Sequence, residues 1–127
     1  MNRREYIIDG NNFSNLEEFY DEISKVLVPG AWWGRNLDAF DDILSGDFGT
    51  PKEGFILKWN NASVSKDYLG YPETIRQLEK QLLKSHPANR QIIQTQIDLA
   101  KQNRGLTIFD KIIKIIEDHK DIQLILN

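Results

Sequence analysis

Three short apolar runs, at residues 4–9 (REYIID), 55–59 (FILKW) and 122–126 (IQLIL), are separated by long stretches of helical character, and this order constrains the fold more than any other feature. Two strands that lie side by side and point the same way cannot be joined by a tight turn. Each return needs a crossover of a dozen or more residues, usually a helix. Strand, two helices, strand, several helices, strand is therefore the order of a small α/β layer. We expect a small three-stranded parallel sheet packed with helices, chiefly on one side. The first run ends at Asp9-Gly10-Asn11-Asn12, a strong turn signal, and reads as a central or fully covered strand. In the second, Phe55, Leu57 and Trp59 share one face.

The helices are marked by their caps and stripes. Ser14 reads as an N-cap with Glu17 three residues on, and Leu16, Phe19, Ile23, Val26 and Leu27 form the buried stripe before Pro29-Gly30 stops the helix. A shorter helix spans 36–45, and a loop with Pro51 leads to the second strand. A further short helix at 63–69 is broken by Gly70 and Pro72. Residues 73–85 and 89–103 then read as two amphipathic helices, with Ile75, Leu78 and Leu82 on one and Ile92, Ile93, Ile97 and Leu99 on the other. Their joint at His86-Pro87 is short, so they should lie antiparallel. The last helix, 107–118, points Phe109, Ile112, Ile113 and Ile116 inward. Residues 1–127 thus read as a single domain with a helical hairpin, 71–105, inserted before the last helix.

A chain of 127 residues is long enough to bury a core without staples, and this one has no cysteine. That excludes disulfides, thiolate metal sites and cysteine nucleophiles together. No apolar run approaches the roughly 20 residues of a membrane span, and the N-terminal apolar run is cut by Asp9, so no membrane association and a cytoplasmic location are expected. The net charge of −3 is unevenly spread: residues 1–63 hold 6 Lys and Arg against 11 Asp and Glu, residues 64–127 hold 10 against 8. An acidic front half without a basic cluster disfavours direct nucleic-acid binding and favours a basic partner.

That acidity concentrates in residues 32–47, WWGRNLDAFDDILSGD. Leu37, Phe40 and Leu44 account for the core side of a helix from Asn36, which is a good N-cap. Asp38 lies in the first turn, where the helix dipole favours a carboxylate. Asp42 lies four residues on, and like charges at that spacing weaken a helix by roughly 0.2–0.5 kcal/mol. The dipole does less for Asp41 and Asp42 and nothing for the pair Trp32 and Trp33, so the pattern reads either as a binding face or as a solvated acidic face. With Asp47 just past Gly46, these residues suit a partner rich in Arg, Lys or His.

The string Trp33-Gly34-Arg35-Asn36-Leu37-Asp38-Ala39 resembles the barstar family of ribonuclease inhibitors. So do Ile8-Asp9-Gly10, the first helix, Leu44-Ser45-Gly46, Leu57-Lys58-Trp59 and the strand at 122–126; only 71–105 lies outside the likeness. The resemblance implies that the acidic helix and the loop before it plug a nuclease active site, with carboxylates standing where substrate phosphates would. Carboxylates accept charge-assisted hydrogen bonds from the same Arg and Lys side chains that hold phosphate. It also implies a barstar-like fold, no catalytic activity, no cofactor and no metal.

Carried over residue by residue, Trp32 falls where the family has a contacting tyrosine, Asp38 and Asp42 on contacting aspartates, and Gly46 on the glycine ending the helix. Asp41 and Asp47 stand in place of contacting tryptophans, so this surface is more acidic and less aromatic. The expected contact set is Trp32, Trp33, Asn36 and Asp38, with Asp41, Asp42, Gly46 and Asp47. Glu117 or Asp118 could add an acidic contact from the last helix, although one register puts Lys114 there. The partner implied is a basic ribonuclease or nuclease toxin domain, and the role that of an immunity protein; a different basic partner is the alternative. A hydrolase holding magnesium on Asp38, Asp41, Asp42 and Asp47 is a further reading, but carboxylates at those positions fan over a broad arc of the helix. His86, in a turn, and His119, near a helix end, read as surface residues. The hairpin could extend the interface, make a dimer or decorate the fold.

Overall fold

In the computed structural model, which describes residues 3–127, β1 (Glu5–Asp9), β2 (Ile56–Asn60) and β3 (Gln123–Leu126) form one sheet in the order β1-β2-β3. Both pairings are parallel, with Tyr6 beside Leu57 beside Leu124 and Ile8 beside Trp59 beside Leu126. Between β1 and β2 run α1 (Leu16–Val26) and α2 (Leu37–Leu44). Between β2 and β3 run α3 (Ala62–Tyr68), α4 (Tyr71–Lys84), α5 (Arg90–Lys101) and α6 (Ile108–Glu117). The fold is the expected α/β layer. One expectation is corrected: β1 is an edge strand, not a central one, because the chain places β2 between it and β3. Ile7 is half exposed, in register with Lys58 and Ile125.

Trp59 organises the core. Its ring lies 5.2–6.1 Å from those of Phe13, Phe19 and Phe109, and its Nε1 donates to Ser65 Oγ at 3.0 Å, so the buried indole leaves no polar atom unpaired. Phe19 in turn meets Phe40 edge-on at 5.4 Å, which seats α2 on α1.

Two helix starts differ from the sequence reading. Asn15, not Ser14, caps α1: its side chain accepts from the Glu18 N–H, and Glu18 Oε1 accepts from the Ser14 N–H and hydroxyl at 2.8 Å. Asn and Ser are equally good caps, so the motif slides one residue without cost. The slide frees Glu17, which receives Arg76, Gln77 Nε2 at 2.6 Å and Lys80 Nζ at 3.1 Å, all from α4. Further on, α4 begins at Tyr71 and takes Pro72 into its first turn, where a missing N–H breaks no bond. That turn is tied to the rest of the fold. Buried Glu73 accepts from the Leu16 N–H at 2.9 Å and from Arg76 Nε at 2.7 Å, and buried Thr74 accepts from the Ile108 N–H at 2.9 Å. Beyond it, α4 and α5 pair through a small cluster of their own, Leu78, Ile93 and Ile97, flanked by Ile75 and Leu82.

Burial opposes ionisation of Glu17, but the hydrogen bonds from Arg76, Gln77 and Lys80 outweigh it and hold the carboxyl at about 2, against 4.5 ordinarily. A carboxyl depressed in the folded state adds stability above its unfolded value and loses it as pH falls through the folded one. The melting temperature should therefore decline between about pH 4.5 and 2, and a Glu17→Gln variant should lose part of that pH dependence. An equal decline in the variant would sink this assignment.

Candidate protein-binding face

The loop before α2 has no regular secondary structure at residues 31–34, and its two tryptophans go opposite ways. Trp33 turns inward: it is 3% exposed, meets Tyr20 edge-on at 5.5 Å and donates from Nε1 to Ser24 Oγ at 2.8 Å. Trp32 turns outward and is 89% exposed. Trp33, expected among the contacts, is buried in the chain itself, where it anchors the loop and leaves Trp32 facing out. Arg35 completes the anchor. Its backbone sits at φ 52°, a left-handed conformation uncommon outside glycine, and its guanidinium bonds Asp21, the Glu17 carbonyl at 3.1 Å and Ser24 Oγ at 3.3 Å.

Asn36 caps α2, its Oδ1 accepting from the Ala39 N–H at 2.8 Å. From that start Phe40, Ile43 and Leu44 are buried, and Asp38, Asp41 and Asp42 are exposed. At the far end the Gly46 N–H bonds the Ile43 carbonyl at 3.0 Å and the Asp47 N–H bonds the Asp42 carbonyl at 3.2 Å, the paired bonds of a Schellman cap. Gly46 has φ +97°, and a Cβ there would come within 2.6 Å of Lys52 Cγ and 3.0 Å of the Thr50 carbonyl. The glycine is required by this cap, and it is buried, so its part in any interface is to fold Asp47 back toward Asp42. In most Schellman caps these two positions hold apolar side chains that touch. Here both are exposed aspartates, and both lie at the negative end of the helix dipole.

Asp41 differs from its neighbours in having a partner: its Oδ1 meets His119 Nε2, from the turn after α6. Sequence alone marks His119 as a surface residue, and nothing local could have paired positions 78 residues apart. Glu117 and Asp118, the candidates on the last helix, are exposed at its end beside His119. Among the described residues no three His, Asp or Glu side chains converge to hold a metal ion. No helix among them is long and apolar enough to cross a membrane.

The sequence profile of the Barstar (barnase inhibitor) family matches residues 3–82. The chain belongs to the barstar family. A Bacillus subtilis (strain 168) protein named "Putative ribonuclease inhibitor YrdF" is 37% identical over 67 residues, spanning 53% of this chain and 70% of that protein. The family match covers residues 32–47, β1 and β2, and it ends inside α4. It therefore reaches into the hairpin, which the sequence likeness left out, and omits α6 and β3; the place of β3 in the sheet rests on its parallel pairing with β2.

Proposed function

We propose that this barstar-family protein inhibits a ribonuclease by seating α2 and the preceding loop in the nuclease's substrate-binding site. The observation that carries the reading is the set of exposed carboxylates on α2 and its C-terminal cap, Asp38, Asp41, Asp42 and Asp47, beside an indole left almost wholly in water. The fold has no need of Asp42 or Asp47 where they stand, and exposed tryptophan beside charge suits an interface anchor. A basic cleft that holds phosphates through Arg and Lys would hold these carboxylates by the same bonds. The protein itself acts as a plug and turns nothing over. Such a role is that of an immunity protein acting in the cytoplasm of the cell that makes the nuclease.

Titration of the purified protein into a panel of small, basic bacterial ribonucleases should abolish the activity of at least one at a one-to-one ratio. RNA cleavage by the protein alone, with or without magnesium, would refute the reading. Tight binding that leaves nuclease activity intact would instead assign the face to another basic partner.

A further inference from the structure

A groove of about 440 Å³ runs between the N-terminal end of α2 and the hairpin. Its α2 rim carries Asn36 and Asp38, and so continues the acidic face; its opposite wall carries Lys80 and Lys84 from α4 and Lys111 from α6. Lys80 is engaged with Glu17 at 3.1 Å, whereas Lys84 and Lys111 make no ion pair among the described residues. Lys111 is half-buried with no carboxylate on it, and that burial pushes its ammonium below the usual lysine range. Tyr20, itself 7% exposed, also lines the groove, and its hydroxyl has no hydrogen-bond partner among the described residues. Two ammonium groups without an ion-pair partner and a hydroxyl without a protein partner thus share the groove with Asp38.

We propose, resting on the inhibitor reading above, that this groove is the second half of the docking surface and takes an acidic side chain of the nuclease, held by Lys84, Lys111 and the Tyr20 hydroxyl. A uniformly basic partner would be repelled by this wall, because its own cations would face ammonium groups in a half-dry cleft. A nuclease with an Asp or Glu beside its basic site matches both signs at once. The hairpin then acts as a selector: α2 supplies attraction to any phosphate-binding cleft, and the lysine wall rejects those without the acidic neighbour.

The test uses the full chain and the most tightly inhibited ribonuclease of the panel, with dissociation constants for the parent, Lys84→Glu, Lys111→Met and Tyr20→Phe. Met keeps the packed stem of Lys111, Phe keeps the ring of Tyr20, and circular dichroism reports whether each variant is folded. Lys84→Glu should weaken binding about tenfold or more, and the two neutral changes less. Reversing each acidic residue near the nuclease's active site to lysine should reveal one that weakens the parent yet restores binding to Lys84→Glu, the coupling expected of charges that face each other across the interface. If the parent inhibits the nuclease and all three variants match it, the groove is not part of the interface and the inhibitor reading stands. If the parent inhibits no ribonuclease, both fall. Tighter binding by Lys84→Glu would show that the groove faces cations and would overturn the proposal outright.

Discussion

Replacing Asp42 by Ala is expected to weaken inhibition of the target ribonuclease roughly a hundredfold while leaving the protein folded and no less stable. The stability half comes from where the residue stands. Its backbone carbonyl serves the Schellman cap, which alanine preserves, while its carboxylate is exposed, four residues from Asp38, brought toward Asp47 by the cap and set near the negative end of the dipole. Removing it relieves repulsion of about a few tenths of a kcal/mol. The binding half comes from desolvation. A carboxylate seated against a guanidinium in a closed cleft leaves that cation buried and unpaired when it is lost, at a cost on the order of 2–5 kcal/mol, a range that barstar's own type complex helped to define. The loss should appear chiefly in the dissociation rate. Added salt should slow association of the parent, by screening the field of the whole acidic face. A variant that melts earlier yet inhibits as well as the parent would show Asp42 to be structural and the face misplaced.

What could be read from the sequence, and what could not, divides by range. The three strands, the acidic helix with its Asn36 cap and its Gly46 stop, and the helical hairpin are written in local periodicity and turn chemistry, and each stands in the structure within a few residues of its expected place. The start of α1 is displaced by one residue because Ser14 and Asn15 are interchangeable as caps, and only the demand of α4 for Glu17 decides between them. Two adjacent tryptophans look alike in a sequence; the one that reaches Ser24 on α1 and Tyr20 is buried, and its neighbour is left outside. The open face of β1 is hidden because Tyr6, Ile7 and Ile8 are all apolar and mask the alternation, and its edge position is set by pairing with β2 alone. The His119–Asp41 pair and the lysine wall depend on packing between distant elements, which no spacing rule reaches.

Glu73 is the largest such long-range feature, and Glu73→Ala should cost about 2–3 kcal/mol of folding stability. Its carboxylate is buried, and bonds to the Leu16 N–H, Arg76 and Gln77 outweigh the burial penalty and hold its pKa below the usual value. Alanine would leave the Leu16 N–H at the start of α1 without its acceptor and would remove the shared anchor of Arg76, which retains Glu17. Glu73→Gln keeps an acceptor for the Leu16 N–H and should lose about half as much. The same geometry divides the hairpin. Sequence alone reads 71–105 as one inserted hairpin, but its base is bonded to α1 and α6 through Glu73 and Thr74 and closed by Tyr71 donating to the Gly105 carbonyl at 2.8 Å. Replacing all of 71–105 with a short loop should therefore unfold the protein. Replacing only the tip, residues 82–92, with a flexible turn should leave a cooperative fold, since the packing it disturbs belongs to the separate cluster around Leu78, Ile93 and Ile97. Thermal melts of both shortened chains beside Glu73→Ala decide the matter: a full deletion that melts like the parent would show the hairpin to be an appendage throughout, and Glu73 a bystander.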